Sequence, residues 1–155
     1  MKILLFLFLL LAPGWALAQT TAPAAASVNF CGLDLPLPAN CSADSKYSVR
    51  SPEYQMTWMY LDYGMLRTFP EQFVQQIQKK HKHTERQPLE GFILDAPAKG
   101  FRLSYPTEGG GMAYELIAYG VAKGQPVMVQ LTLATDPDKT ADLPELPRQV
   151  LRLTK

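Results

Sequence analysis

Between residues 114 and 133, hydrophobic and polar positions follow the period of a β-strand. Val127, Val129, Leu131 and Leu133 alternate with Met128, Gln130 and Thr132, which sets one face on a core and leaves the other wet. A second run rich in β-branched and aromatic residues, 114–121, precedes it. Lys123-Gly124 lies between the two, and Gly124 supplies the positive φ of a tight turn, so the pair predicts a β-hairpin. Pro126 falls at the strand's edge, where a missing N–H is tolerated. The remaining segments read as pieces that cover this hairpin's apolar face.

Upstream, 46–49 and 54–61 read as strands separated by Ser51-Pro52, with Tyr54, Met56, Trp58 and Tyr60 on one face. A helix over 52–65 is the rival reading, because short apolar runs are ambiguous. Thr68-Phe-Pro-Glu71 has the spacing of a capping box and opens a helix over about 69–82. Its apolar stripe is Phe69, Phe73 and Ile77 with Val74, and Gln72, Gln75, Gln76 and Gln78 face water. Lys79, Lys80, His81, Lys82 and His83 end it, where positive charge complements the helix dipole; an anion or partner site is the other use for such a cluster. Segments 89–94 and 101–105 predict two more strands around a turn at 97–100, with Phe101, Leu103 and Tyr105 pointing one way. A glycine-rich loop, 106–111, and a polar connection, 136–143, flank the hairpin. A short helix near Pro147 closes the chain with Leu146, Val150 and Leu153 inward.

The expected fold is therefore α+β: one domain over 29–155, an antiparallel sheet, an amphipathic helix and a short C-terminal helix. Residues 1–18 carry the marks of a secretory signal peptide. Lys2 precedes a short apolar run, and Ala16-Leu17-Ala18 places small residues before a cut; the run is too short for a membrane span. Residues 19–28, rich in Ala, Thr and Pro, read as a flexible leader. Cleavage leaves 137 residues, enough for one domain. It also leaves 14 basic against 14 acidic residues, and without a basic stripe the chain is not expected to bind nucleic acid. In an oxidising compartment, Cys31 and Cys41 are expected to pair, a bond worth roughly 3 kcal/mol for a loop of about 11 residues. A metal or redox pair is the competing use of these two thiols.

No constellation of residues fixes a chemistry. The two histidines lie at a solvated helix end, a poor place for a tuned proton shuttle, so no catalytic residue is assigned. His81-x-His83 with Met56, Met59 and Met65 is the one candidate metal set, but i,i+2 histidines on a helix point apart, so neither metal nor cofactor is expected. Gly109-Gly110-Gly111 lacks the Lys and Ser or Thr of a phosphate loop. Recognition is the remaining use of that loop. Glu108, Gly109, Gly110 and Gly111, with Tyr105 and Met112 beside them, form the expected contact surface for a protein partner, an ordinary solvated connection being the alternative.

The order of elements resembles the PsbP and DcrB type of α/β/α sandwich. It is carried by a Leu-Pro-rich start, paired strands, the helix near 69–80, Leu89-x-Gly91-Phe92, a long hairpin and a terminal Leu-Pro helix. The resemblance spans most of the mature chain and implies a non-enzymatic envelope protein. Some exported members resemble immunity proteins that block a type VI secretion toxin in the periplasm. With Gln19 rather than a cysteine directly after the cleavage site, the chain departs from the lipoprotein members. The expectation is thus a periplasmic inhibitor bound to a cognate toxin or effector, or alternatively an envelope carrier of a small ligand or metal ion.

Overall fold

A computed structural model describes residues 26–154; the signal-peptide reading of 1–18 and most of the leader lie outside it. The chain is α+β. Eight strands form one antiparallel sheet in the order β10-β6-β7-β8-β9-β5-β4-β3, and β1 (Ser27–Phe30) pairs with β2 (Leu33–Pro36) in a separate hairpin. In the large sheet β3 is Ser42–Ser45, β4 Ser48–Arg50, β5 Tyr54–Tyr60, β6 Glu85–Ile93, β7 Ala96–Pro106, β8 Met112–Ala122, β9 Gln125–Leu133 and β10 Leu151–Leu153. A 3-10 turn, Met65–Arg67, leads into α1 (Phe69–Lys80), and α2 is Glu145–Val150. No described helix is long and apolar enough to cross a membrane.

The β8–β9 hairpin stands at the centre, as its alternation predicts. Tyr114 pairs with Leu133, Ala118 with Val129 and Ala122 with Gln125. Lys123 (φ 49°) and Gly124 (φ 77°) make the turn, both left-handed as a two-residue hairpin requires. Pro126 lies just beyond the β5 pairing, which ends at Tyr60 and Val127, so its missing N–H costs no ladder bond to β5.

One half of the pattern reads differently in three dimensions. The face of β9 expected to be wet is covered. Val127, Val129 and Leu131 bury against Phe30, Met56, Trp58, Leu116 and Leu146, under the β1–β2 hairpin and α2. Met128, on the other face, is 2% exposed, packed with Leu103, Ile117, Val74 and Ile77 beneath α1. Leu116 and Ile117, adjacent on β8, are both fully buried because the strand has a core on each side. Fully burying a side chain of this size contributes about 1.5–3 kcal/mol. In α1, Val74 and Ile77 are buried, with Phe69 and Phe73 half-buried beside them. The alternative helix over 52–65 is replaced by β5, whose Tyr54, Met56 and Trp58 are buried on one face.

Several expectations are corrected. The turn at 97–100 lies inside β7; the chain reverses at Leu94 (φ 54°) and Asp95. Pro97 precedes the β8 pairing, which starts at Ala98, so it meets no partner strand on its N–H side. The Thr68-Glu71 capping box does not form. The Thr68 N–H donates to the Met65 carbonyl because the 3-10 turn runs straight into α1, and Glu71 accepts two bonds from Arg86 instead, at 2.6 and 2.7 Å. α2 stops at Val150, and the last alternation, Leu151-Arg152-Leu153, pairs as β10 with β6. Strand β1 begins inside the expected 19–28 leader, with Val28 buried.

Cys31 and Cys41 are free thiols, against the disulfide expectation. Cys31 occupies the β1–β2 turn with φ 49°, and its N–H donates to the Tyr60 hydroxyl at 2.8 Å. Cys41 Sγ lies 3.1 Å from the Tyr54 hydroxyl. Tyr54 and Tyr60 are at opposite ends of β5, about 20 Å apart along an extended strand. The two cysteines are thus anchored to different ends of one element, whereas a disulfide needs Cα atoms within about 7 Å.

Candidate functional site

The glycine loop is the tip of the β7–β8 hairpin. Pro106 and Met112 are paired, so the connection proper is residues 107–111. It is tied rather than loose. Thr107 N–H donates to the Gly111 carbonyl (2.8 Å), Gly110 N–H to the Thr107 carbonyl (3.1 Å), and Gly111 N–H to Thr107 Oγ1 (3.2 Å). Glu108, Gly109, Gly110 and Gly111 are all exposed, and Met112 is 43% exposed beside them. A Cβ on Gly109 or Gly110 would meet nothing within 4 Å, so open space surrounds the tip.

Tyr105 does not belong to this surface. It is 5% exposed and points under the C-terminal end of α1, where the His81 ring stacks on it with centroids 3.9 Å apart. Its hydroxyl donates to Glu115 Oε1, and Gln130 Nε2 donates to Glu115 Oε2 at 3.0 Å. Thr57 Oγ1 in turn donates to Gln130 Oε1 at 3.3 Å. This chain of four side chains crosses β7, β8, β9 and β5, and Glu115 is the one buried acidic residue among those described. Burial, with the bond to Glu115 and the acidic group beside it, pushes the Tyr105 hydroxyl well above its usual range. The sequence reading missed Glu115, Gln130 and Thr57. A lone acid inside the apolar run 114–121 was the available signal.

A second set of contacts fixes the other end of α1. Arg86 reaches Glu71 while its guanidinium lies 4.0 Å over the Phe101 ring, so β6, β7 and α1 are joined by one side chain. The hydrogen bonds from Arg86 hold the Glu71 carboxyl below its ordinary range.

The histidine and methionine candidates do not converge. His81 is engaged with Tyr105, whereas His83 is exposed with φ 60°. Met56 is fully buried in the core under α2, and Met59, three residues on, lies on the opposite face of β5. Among the described residues, no group of three or more His, Cys, Asp and Glu side chains is placed to hold a metal ion. The tip presents one carboxylate and exposed backbone on a braced hairpin, and the C-terminal end of α1 lies at the tip end of that hairpin, where His81 stacks on Tyr105. No protein-family model and no curated protein matches this chain.

Proposed function

We propose that the chain is a non-catalytic binding protein of the cell envelope, exported to the periplasm by its N-terminal signal peptide. Its partner, on this reading, is a toxin delivered by a type VI secretion system, which it inhibits as an immunity protein. The observation that carries the reading is the β7–β8 tip. Two strands of 11 residues each hold up a short turn whose single charge is Glu108. Glycine backbone there approaches a partner closely, and a carboxylate engages a basic group or a metal held in an enzyme's cleft. The resemblance to PsbP and DcrB sandwiches supports the envelope assignment, and the disposition of α1 on one sheet face and α2 with the β1–β2 hairpin on the other is compatible with such a sandwich.

The test is a charge reversal at the tip, Glu108→Lys, combined with deletion of Gly110. Affinity for the toxin encoded beside the gene is expected to fall at least about tenfold, about 1.4 kcal/mol. Stability of the Glu108→Lys single variant is expected to stay within about 0.5 kcal/mol, because Glu108 is exposed, and deletion of Gly110 adds only the loss of its N–H bond to the Thr107 carbonyl. Titration calorimetry and denaturant unfolding read the two quantities. Unchanged affinity with an intact fold moves the contact surface away from the tip.

A further inference from the structure

Helix α1 does not cover the whole of its sheet face. Beyond its N-terminal end a cleft of about 900 Å³ opens over β6, β7 and β8. The register decides what lines it. Phe92 pairs with Pro97, and Lys99 with Tyr119, so these side chains stand on the α1 face, while Ala98 and Gly120 turn to the other. Phe92, with the Arg152 guanidinium 4.3 Å over one side of its ring, joins Tyr119 and Val121 in a half-buried floor, and Leu66 of the 3-10 turn closes one wall. The volume is that of a site for a small organic molecule.

The rim is cationic. Arg67 and Lys99 are exposed at the cleft, and among the described residues neither takes part in an ion pair, unlike Arg50, Arg86, Arg102 and Arg152. Lys99 lies 5.9 Å over the Tyr119 ring, at the border between floor and rim. One carboxylate, Glu90, is also in the lining, which leaves the cations in excess. We propose that this cleft binds a free, single-chain amphipathic anion of the fatty-acid class. Its tail lies on Phe92, Tyr119 and Val121, and its head meets Arg67 and Lys99. The site is independent of the inhibitor reading, since Lys99 and Pro106, where the tip begins, are about 23 Å apart along β7.

The mature chain, isotope-labelled, is titrated with dodecanoate below its micelle concentration and followed by amide shifts. Saturable shifts are expected at residues 66–67, 90–99 and 119–121. Decanoate should bind more weakly by between about fourfold and fifteenfold, since each buried methylene is worth up to about fourfold. Dodecyltrimethylammonium, with the same tail and the opposite charge, should bind at least tenfold more weakly than dodecanoate. The exposed double variant R67E/K99E should lose at least tenfold in dodecanoate affinity at unchanged melting temperature, and E108K should lose none. Equal binding of the two amphiphiles, unaltered affinity in R67E/K99E, or shifts scattered over other surfaces would overturn the proposal. Phosphatidylglycerol vesicles that saturate the same amides while dodecanoate does not would overturn it in favour of a membrane surface.

Discussion

Replacing Tyr105 by phenylalanine is expected to destabilise the protein by about 1–3 kcal/mol, although the ring and its stack on His81 are retained. The hydroxyl is the donor to Glu115 Oε1, and that oxygen belongs to a side chain only 5% exposed, so its lost bond is not replaced by water. Glu115→Leu alone orphans the Tyr105 hydroxyl and should cost a similar amount. The double variant, Y105F/E115L, should lose less than the sum of the two. Both partners then become apolar, and half-buried Gln130 can turn its amide to solvent. Denaturant unfolding of the four proteins measures the coupling, and strictly additive losses would mean that the pair contributes nothing of its own.

The same tyrosine gives a pH dependence whose sign is fixed. Its hydroxyl titrates higher in the folded chain than its ordinary value of 10.0, so the folded state holds a proton that the unfolded state releases. The contribution is fully present below about pH 10 and is lost as the pH rises beyond it. Stability should fall in that alkaline window by up to about 1.4 kcal/mol per pH unit for this group. Tyr54, Tyr60 and Tyr119 are shifted the same way, chiefly by burial, and steepen the loss. Y105F should therefore show a shallower alkaline slope than the parent. An identical slope would remove Tyr105 from the account.

Local pattern made part of this molecule legible. The alternation of Val127 to Leu133 and the stripe of Phe69, Phe73, Val74 and Ile77 each reflect one side chain's relation to its near neighbours, and both elements form where that relation puts them. The polar chain from Tyr105 to Thr57 has no such local signature. Tyr105 reaches Glu115 through the β7–β8 register, and Gln130 reaches both Glu115 and Thr57 through the registers of β9 with β8 and β5. The cleft is equally invisible along the chain, because its walls come from the 3-10 turn and three strands that meet only when the sheet forms. The covered face of Met128 escapes local pattern for a related reason. Alternation identifies two faces of a strand, but whether a helix from elsewhere covers the second is a tertiary fact.

Glycine at position 100 is expected to be the least replaceable glycine in the sheet, with Gly100→Ala costing about 3 kcal/mol or more, or preventing folding. Glycine beside proline punctuates loops often enough that 97–100 reads as a turn, yet Gly100 pairs with Leu89 on one side and Ala118 on the other, in the middle of β7. A methyl group built there would stand 1.7 Å from the Ile117 carbonyl oxygen and 2.8 Å from its carbon. Those are backbone atoms of a central strand, which cannot swing aside as a side-chain tip would. To admit the methyl group, β7 and β8 must separate. That strains the ladder running from Ala98 to Pro106 and disturbs Leu116 and Ile117, which fill the two cores. Gly109→Ala, at the tip, is the matched control: the same methyl group meets nothing within 4 Å, and stability should change by less than about 0.5 kcal/mol. Thermal and denaturant unfolding of the two variants side by side decide the matter. If G100A were as stable as G109A, β7 and β8 would not approach as closely as they do in this structure.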